Sequence, residues 1–251
     1  MGDYILEAHG LSRDFAGFKA VSNVDIKVRR GGIHALIGPN GAGKTTTFNL
    51  LTKFLQPSSG SIVYNGNDIT WTKAAEVARL GMVRSFQISA VFPHLSVLDN
   101  LRVALQRQLG TSFHFWKSDA TLNQLNDRAE ELIASVGLTP YIHSAAADLS
   151  YGRRRALEIA TTLSLEPEML LLDEPMSGLG REDIGTVSRL IGEVGKKYSV
   201  LMVEHNLSVV AELSNTITVL ARGQVLAEGT YSEVSANQDV RAAYMGSTYG
   251  H

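Results

Sequence analysis

The sequence predicts an α/β fold: a mainly parallel sheet, a small antiparallel sheet at the N-terminal end, and an α-helical lobe inserted near the middle. Three observations predict it. The octapeptide Gly38-Pro39-Asn40-Gly41-Ala42-Gly43-Lys44-Thr45 fits GxxxxGK[ST] at every fixed position. It follows a short β-prone run, Ile33-His34-Ala35-Leu36-Ile37, and precedes Phe48, Leu51, Phe54 and Leu55 at helical spacing, a run stopped by Pro57-Ser58-Ser59-Gly60. Two later apolar runs, Met169-Leu170-Leu171-Leu172 and Val200-Leu201-Met202-Val203, have the composition of buried parallel strands and end in Asp173-Glu174 and Glu204-His205.

Strand, glycine loop and helix therefore occur in the order that phosphate binding needs, which makes the first observation the start of a P-loop NTPase core. Consecutive backbone N–H groups converge on phosphate oxygens, the helix N-terminus adds its positive end, Lys44 reaches the β and γ phosphates, and Thr45, followed by Thr46, offers a hydroxyl to Mg²⁺. Ordinary residue frequencies give on the order of 10⁻² accidental matches in a chain of this size. A nucleotide site is the better reading than a glycine-rich turn.

Size and composition exclude several classes. With 251 residues and 44% hydrophobic content, the chain can bury a full core as one domain, 1–251. Approximate subregions are 1–95 (nucleotide core and antiparallel β), 96–165 (helical lobe) and 166–251 (core completion and C-terminal segment). A formal charge of −2 gives no global reason to bind nucleic acid, and none is expected as a partner. The absence of cysteine removes disulfides, zinc–thiolate sites and thiol nucleophiles. No apolar run approaches the ~20 residues of a membrane span, and residues 1–10 lack the pattern of a signal peptide. A soluble, cytoplasmic chain is expected.

The elements follow in order. Residues 4–30 are strand-like, with Val24, Ile26 and Val28 alternating against Asp25 and Lys27. Ser61-Ile62-Val63-Tyr64 before Asn65-Gly66 adds a strand and a hairpin turn. Val77 to Leu80 closes a short helix, and Met82-Val83-Arg84-Ser85-Phe86 reads as a strand ending at Gln87. Ser96 with Asp99 opens a helix through Leu98, Leu101 and Leu105 in the manner of a capping box. Phe113, His114, Phe115 and Trp116 lie in a less regular link, where packing under a loop is favoured over contact with a membrane or partner. Leu122, Leu125, Ala129, Leu132 and Ile133 mark a further amphipathic helix ended by Gly137.

Polar residues just past parallel strands belong to the carboxyl edge of the sheet, where α/β folds bind ligands. Asp173 is placed for the Mg²⁺ shell, and Glu174 is the candidate base that polarises water. His205 and Gln87 follow strand ends too, as a candidate γ-phosphate sensor and as a neutral amide able to orient water or metal. One stretch stays unexplained by a single active site. Ser150 and Gly152, in Leu149-Ser150-Tyr151-Gly152-Arg153, open a helix and form an anion site that no phosphate in the same site needs. Arg153, Arg154 and Arg155 oppose that helix's dipole, and for Arg154 and Arg155 a solvated basic face is the favoured account.

Walker A at Gly38 to Thr45, Gln87, the Leu149 to Arg153 stretch, Walker B at Leu170 to Glu174, and His205 together resemble the ATP-binding cassette (ABC) ATPases across nearly the whole chain. The resemblance implies an ABC nucleotide-binding domain with ATP and Mg²⁺. It implies that Ser150 and Gly152 serve the nucleotide of an opposite subunit in a head-to-tail dimer, and that Phe15 stacks on adenine with Val21 beside it. It also implies that Gln87 and the helical lobe meet transmembrane permease subunits on the cytoplasmic face of the membrane, with a substrate-binding protein acting indirectly. Residues 15–21, the form of the signature, the 113–116 link and residues 240–246 look most like ATPases of branched-chain amino acid importers; relatives carry urea or other small organic solutes. The lipopolysaccharide-exporter ATPase is also similar, and soluble scaffold-type cassettes remain an alternative. Tyr151, Arg153 and Gly180 depart from the family pattern, Gly180 standing where the D-loop usually has Asp, which would fit a heterodimer in which a paralogous subunit supplies the other half; the second subunit is identical or paralogous.

Overall fold

The computed structural model describes residues 2–85, 91–106 and 125–246. The chain divides into two compact units, one made of Met1–Arg84, Glu168–Pro175 and Ile191–His251, the other of Ser85–Pro167 and Met176–Leu190.

The first unit holds both sheets. The strands β1 (Tyr4–Phe15), β2 (Phe18–Arg29), β4 (Ser59–Tyr64) and β5 (Asn67–Asp68) form an antiparallel sheet in the order β2-β1-β4-β5. Val24, Ile26 and Val28 are buried while Asp25 and Lys27 face out, as the alternation predicts. Asn65 and Gly66 both take positive φ, +50° and +77°, the conformation that a two-residue hairpin loop between β4 and β5 requires. The second sheet has the order β10-β9-β3-β8-β7-β6, from β3 (Gly32–Ile37), β6 (Met82–Ser85), β7 (Met169–Asp173), β8 (Ser199–Val203), β9 (Thr216–Ala221) and β10 (Gln224–Gly229). Strands β3, β7, β8 and β9 run parallel, in a register that pairs Leu36 and Asp173 with Val203. Their carboxyl ends are therefore level, and the residues that follow them share one edge.

The helix α1 (Lys44–Leu51) joins the two sheets in one core. Phe48, Leu50 and Leu51 pack into the same apolar cluster as Leu6 and Leu11 of β1, Ile62 and Tyr64 of β4, and Leu171 and Leu201 of the parallel sheet. The helix is shorter than the apolar spacing predicts. Thr52 turns its hydroxyl onto the Phe48 carbonyl at 2.8 Å, Lys53 takes φ +64° and sends its ammonium to the Thr70 carbonyl, and Phe54 is left outside the helix and half exposed. The unit is completed by α2 (Ala74–Arg79), by α7 (Leu207–Leu213), and by α8 (Tyr231–Ala236) and α9 (Gln238–Gly246) at the C-terminal end.

The second unit contains α3 (Val97–Gln106), α4 (Asn126–Ser135) and α5 (Tyr151–Leu163). Ser96 caps α3 as its sequence suggests, accepting the Asp99 N–H at 3.0 Å and donating its own hydroxyl to the Asp99 carboxylate at 2.6 Å. That second bond, with help from Arg102, holds the Asp99 carboxyl below its usual range. Asn100 is buried, and its amide accepts the Phe92 N–H at 2.7 Å and donates to the Phe92 and Ser96 carbonyls. Asn100 thus organises the entry loop. Gly137 ends α4 in a left-handed turn, with Leu138 N–H on the Ile133 carbonyl and Gly137 N–H on the Ala134 carbonyl. Leu122 and the 113–116 aromatics lie outside the described residues. The remaining helix, α6 (Arg181–Gly195), crosses between the two parts of the chain at Leu190.

A polar relay runs across the second sheet from buried His34 to exposed Glu228. His34 on β3 shares a 2.8 Å bond with the Thr218 hydroxyl of β9, which donates to Glu228 of β10 at 2.5 Å. Since the hydroxyl proton is spent on Glu228, His34 Nε2 is the donor. Burial pushes the His34 pKa down to about 4. The unfolded chain then binds the extra proton between about pH 6.5 and 4, so stability falls as pH drops through that window, by about 3 kcal/mol in all. Urea unfolding at pH 7, 5.5 and 4.5 should show this loss, and His34→Gln should flatten that part of the profile.

Candidate active site

The phosphate loop leaves β3 and enters α1 through three glycines, two of which have no alternative. Gly38 has φ +151°, and a Cβ there would stand 2.2 Å from the Leu220 carbonyl oxygen of β9. Gly43, the N-cap of α1, has φ +95°, and a Cβ would meet the Ala20 carbonyl oxygen at 2.7 Å. Backbone bonds stitch the loop in place: Ala42 N–H to Pro39 at 3.2 Å, Gly223 N–H to Ala42 at 3.0 Å, and Ser22 N–H to Gly223 at 2.8 Å. Lys44 folds over the loop, donating to the Gly38 carbonyl at 2.7 Å and the Pro39 carbonyl at 3.0 Å. Its pKa is pushed down by burial and drawn back up by Glu174.

Residues 40–46, which include Gly41, Thr45 and Thr46, line a hollow of about 560 Å³ with Phe18, Lys19, Ala20, Glu174 and Arg222. That size suits a nucleotide. Three cationic side chains, Lys19, Lys44 and Arg222, face one carboxylate there, a balance that favours a polyphosphate. Phe15 is not among the lining residues; it is 41% exposed, with the Arg13 guanidinium 4.7 Å from its ring centre. The lining aromatic is Phe18, and Val21 is fully buried beneath Gly43. Phe18 and Lys19 sit inside the segment singled out by sequence, whereas Arg222 had as its signal only Arg222-Gly223, the positive-φ turn between β9 and β10.

At the carboxyl edge, Asp173 ends β7 with Oδ2 bound by Arg84 at 2.5 Å. Glu174 lines the hollow in a left-handed conformation, φ +46°, which costs a non-glycine residue roughly 1–2 kcal/mol. Its N–H bonds the Val203 carbonyl of β8 at 2.9 Å, so the sheet itself enforces the strained turn. His205 is exposed just past β8. Its N–H and that of Asn206 both bond the carboxylate of fully buried Glu204, at 3.0 and 3.3 Å, and Asn206 caps α7. Gln87 lies outside the described residues.

The signature helix shows why its N-terminus tolerates arginines. Ser150 caps α5 by accepting the Arg153 N–H, and the Gly152 N–H faces Asp183 Oδ2 at 3.3 Å. A Cβ on Gly152 would stand 2.4 Å from Asp183 Oδ1. The negative charge that the dipole argument demanded is thus already present in the same unit. The solvated basic face holds for Arg154, which is exposed while bonding the Leu149 and Ala147 carbonyls, and needs correcting for Arg155, which pairs with Glu158 at 2.9 Å and is 11% exposed. Arg153 lies 4.1 Å from the Tyr141 ring centre.

The C-terminal helix contributes a contact that no motif announced. The Tyr244 hydroxyl of α9 is hydrogen-bonded to the backbone of Gly38, and burial raises its pKa.

A family model described as ABC transporter matches residues 21–177. The chain belongs to the ABC transporter family. A second model, described as branched-chain amino acid ATP-binding cassette transporter, matches residues 224–249 of this ABC ATPase. It is 37% identical over 249 residues to the high-affinity branched-chain amino acid transport ATP-binding protein BraF of Pseudomonas aeruginosa, covering 96% of this chain and 98% of BraF. It is 36% identical over 258 residues to LivG of Escherichia coli, of the same description, covering 98% and 99%. Among solved structures, the ADP conformation of an ATP-binding cassette of an ABC transporter superimposes with a TM-score of 0.84 at 29% identity, covering 97% of this chain and 99% of that one.

The tight fit at Gly152 gives a clean test of its structural role. Gly152→Ala should lower the melting temperature by several degrees, since an overpacked contact costs ~1–3 kcal/mol, and Asp183→Ala in the same chain should restore most of it. Calorimetry of the two variants beside the parent measures both shifts.

Proposed function

We propose that this ABC ATPase is the ATP-hydrolysing subunit of an importer for branched-chain amino acids or a similar small organic solute. The single observation that carries the catalytic part is the level carboxyl edge. There the Lys44 loop, the Asp173-Glu174 pair and His205 follow parallel strands in shared register. The match of residues 224–249 and the relatives named above support the solute class.

In this reading Lys44 exchanges the Gly38 and Pro39 carbonyls for phosphate oxygens, and the N–H groups of residues 41–46 complete the cradle. Phe18, with Phe15 and Val21 on the neighbouring strands, supports the base. The Thr45 hydroxyl and the Asp173 carboxylate are the hard oxygen donors that Mg²⁺ on a triphosphate takes from protein, and Gln87 is a third candidate. When bound, that ion neutralises charge on the β and γ phosphates. Glu174 removes the proton from the attacking water, and His205 contacts the γ phosphate. Ser150 and Gly152 serve the nucleotide of a second subunit, identical or paralogous. Among the described residues no helix is long and apolar enough to cross a membrane. In this reading the membrane path belongs to permease subunits, and this subunit works on the cytoplasmic face.

Glu174→Gln should keep ATP binding and lose roughly 10²- to 10⁴-fold in hydrolysis, the usual worth of a general base. Phosphate release and equilibrium binding of ATP, measured on the same preparation, check this. Co-purification of the full chain with membrane permeases tests the transport assignment; a stable soluble assembly without them would overturn it.

A further inference from the structure

Arg84 is a buried cation that the mechanism above does not use. Its side chain is 5% exposed, on the strand β6, in the otherwise uncharged stretch Met82-Val83-Arg84-Ser85. Nη2 donates to Asp173 Oδ2 at 2.5 Å. Nη1 donates to Asn49 Oδ1 at 2.7 Å and to Thr52 Oγ1 at 3.2 Å. The guanidinium carbon lies 4.8 Å from the Phe48 ring centre and 4.9 Å from that of Phe54. Burying a cation costs several kcal/mol of hydration, and an apolar side chain could fill the space between two phenyl rings without that cost. What an apolar side chain cannot supply is a rigid fork with three named acceptors.

Those acceptors define the role. Asn49 and Thr52 belong to α1 and its C-cap, and α1 begins with Lys44 and Thr45. Asp173 is the last residue of β7. Arg84 thus joins Asp173 to the body of the helix that carries Thr45, and it binds only Oδ2 of the carboxylate, leaving Oδ1 for another partner. We propose that Arg84 is a positioning residue for the divalent cation, fixing Asp173 against α1 so that Oδ1 and the Thr45 hydroxyl are pre-set for the Mg²⁺ that accompanies the nucleotide. The inference rests on the reading of Asp173 and Thr45 as metal ligands. It has a rival with opposite sign: a guanidinium that only competes for the carboxylate would weaken metal binding, and its removal would strengthen it.

Calorimetric titration of the full chain with ATP in EDTA and at graded Mg²⁺ separates these. Arg84→Met should leave the metal-free affinity for ATP within about twofold and raise the Mg²⁺ concentration for half-maximal effect about tenfold, the lower end of the 10- to 100-fold usual for a partner that orients a metal ligand. Arg84→Lys, which keeps the charge without the fork, should recover part of the shift. Asn49→Ala, which removes the shorter of the two bonds from the guanidinium to α1 and its C-cap but spares the bond to Asp173, should give a smaller shift of the same sign and serves if Arg84→Met fails to fold. An unchanged or lowered Mg²⁺ requirement in the folded Arg84 and Asn49 variants would overturn the proposal. Asp173→Asn distinguishes the two levels: if it leaves the Mg²⁺ requirement unchanged, the ligand reading itself fails, and if it raises the requirement while the Arg84 variants do not, only the positioning role fails.

Discussion

The site depends on a place where three backbones meet with no side chain between them. Gly38 lies against the Leu220 carbonyl of β9, Gly43 against Ala20 of β2, and Gly223 closes the gap by bonding Ala42 and accepting from Ser22. A Cβ at Gly38, Gly43 or Gly223 would drive into a carbonyl oxygen within 2.7 Å. The loop therefore cannot relax away from the sheet, and its backbone is held in place before a ligand arrives. The antiparallel sheet is part of this, because β2 supplies one wall. The small N-terminal sheet is thus a buttress of the phosphate loop.

Charge is arranged on the same frame. Glu174 draws Lys44 toward its charged form while burial opposes it, and the two side chains face the same hollow. The left-handed turn at Glu174 aims the carboxylate there. The adjacent Asp173, one residue earlier on the strand, points instead to Arg84. Successive residues on a strand face opposite sides, but Glu174 breaks the strand conformation, so its direction is set by the left-handed turn and not by the pleat. The Val203 carbonyl, by taking the Glu174 N–H, makes that break and fixes its direction.

Much of this was legible in the residues because glycine loops, apolar runs and hairpin turns are local. The Asn65-Gly66 turn, the Ser96 cap and the Gly137 stop each follow from one short peptide and stand where the sequence put them. What stayed hidden depends on partners distant in sequence. Arg84 meets Asp173 across 89 positions, and its only trace in sequence is a lone charge in an otherwise uncharged strand. Tyr244 reaches Gly38 from the C-terminal helix, where a tyrosine reads as surface. Phe54 kept the apolar period of α1 and still fell outside it, because Lys53 found a better partner in the Thr70 carbonyl than another helical turn offered.

The glycines of the second unit separate fold from chemistry. Gly152 is required by packing, since Asp183 fills the space its side chain would take, and Gly178 by its φ of +75°. Gly180 is under neither demand: a Cβ there meets nothing within 4 Å and its φ is not positive. A carboxylate at that position would therefore fit without any change in backbone. Its absence is a change in the chemistry this surface presents, and the fold neither asks for it nor pays for it.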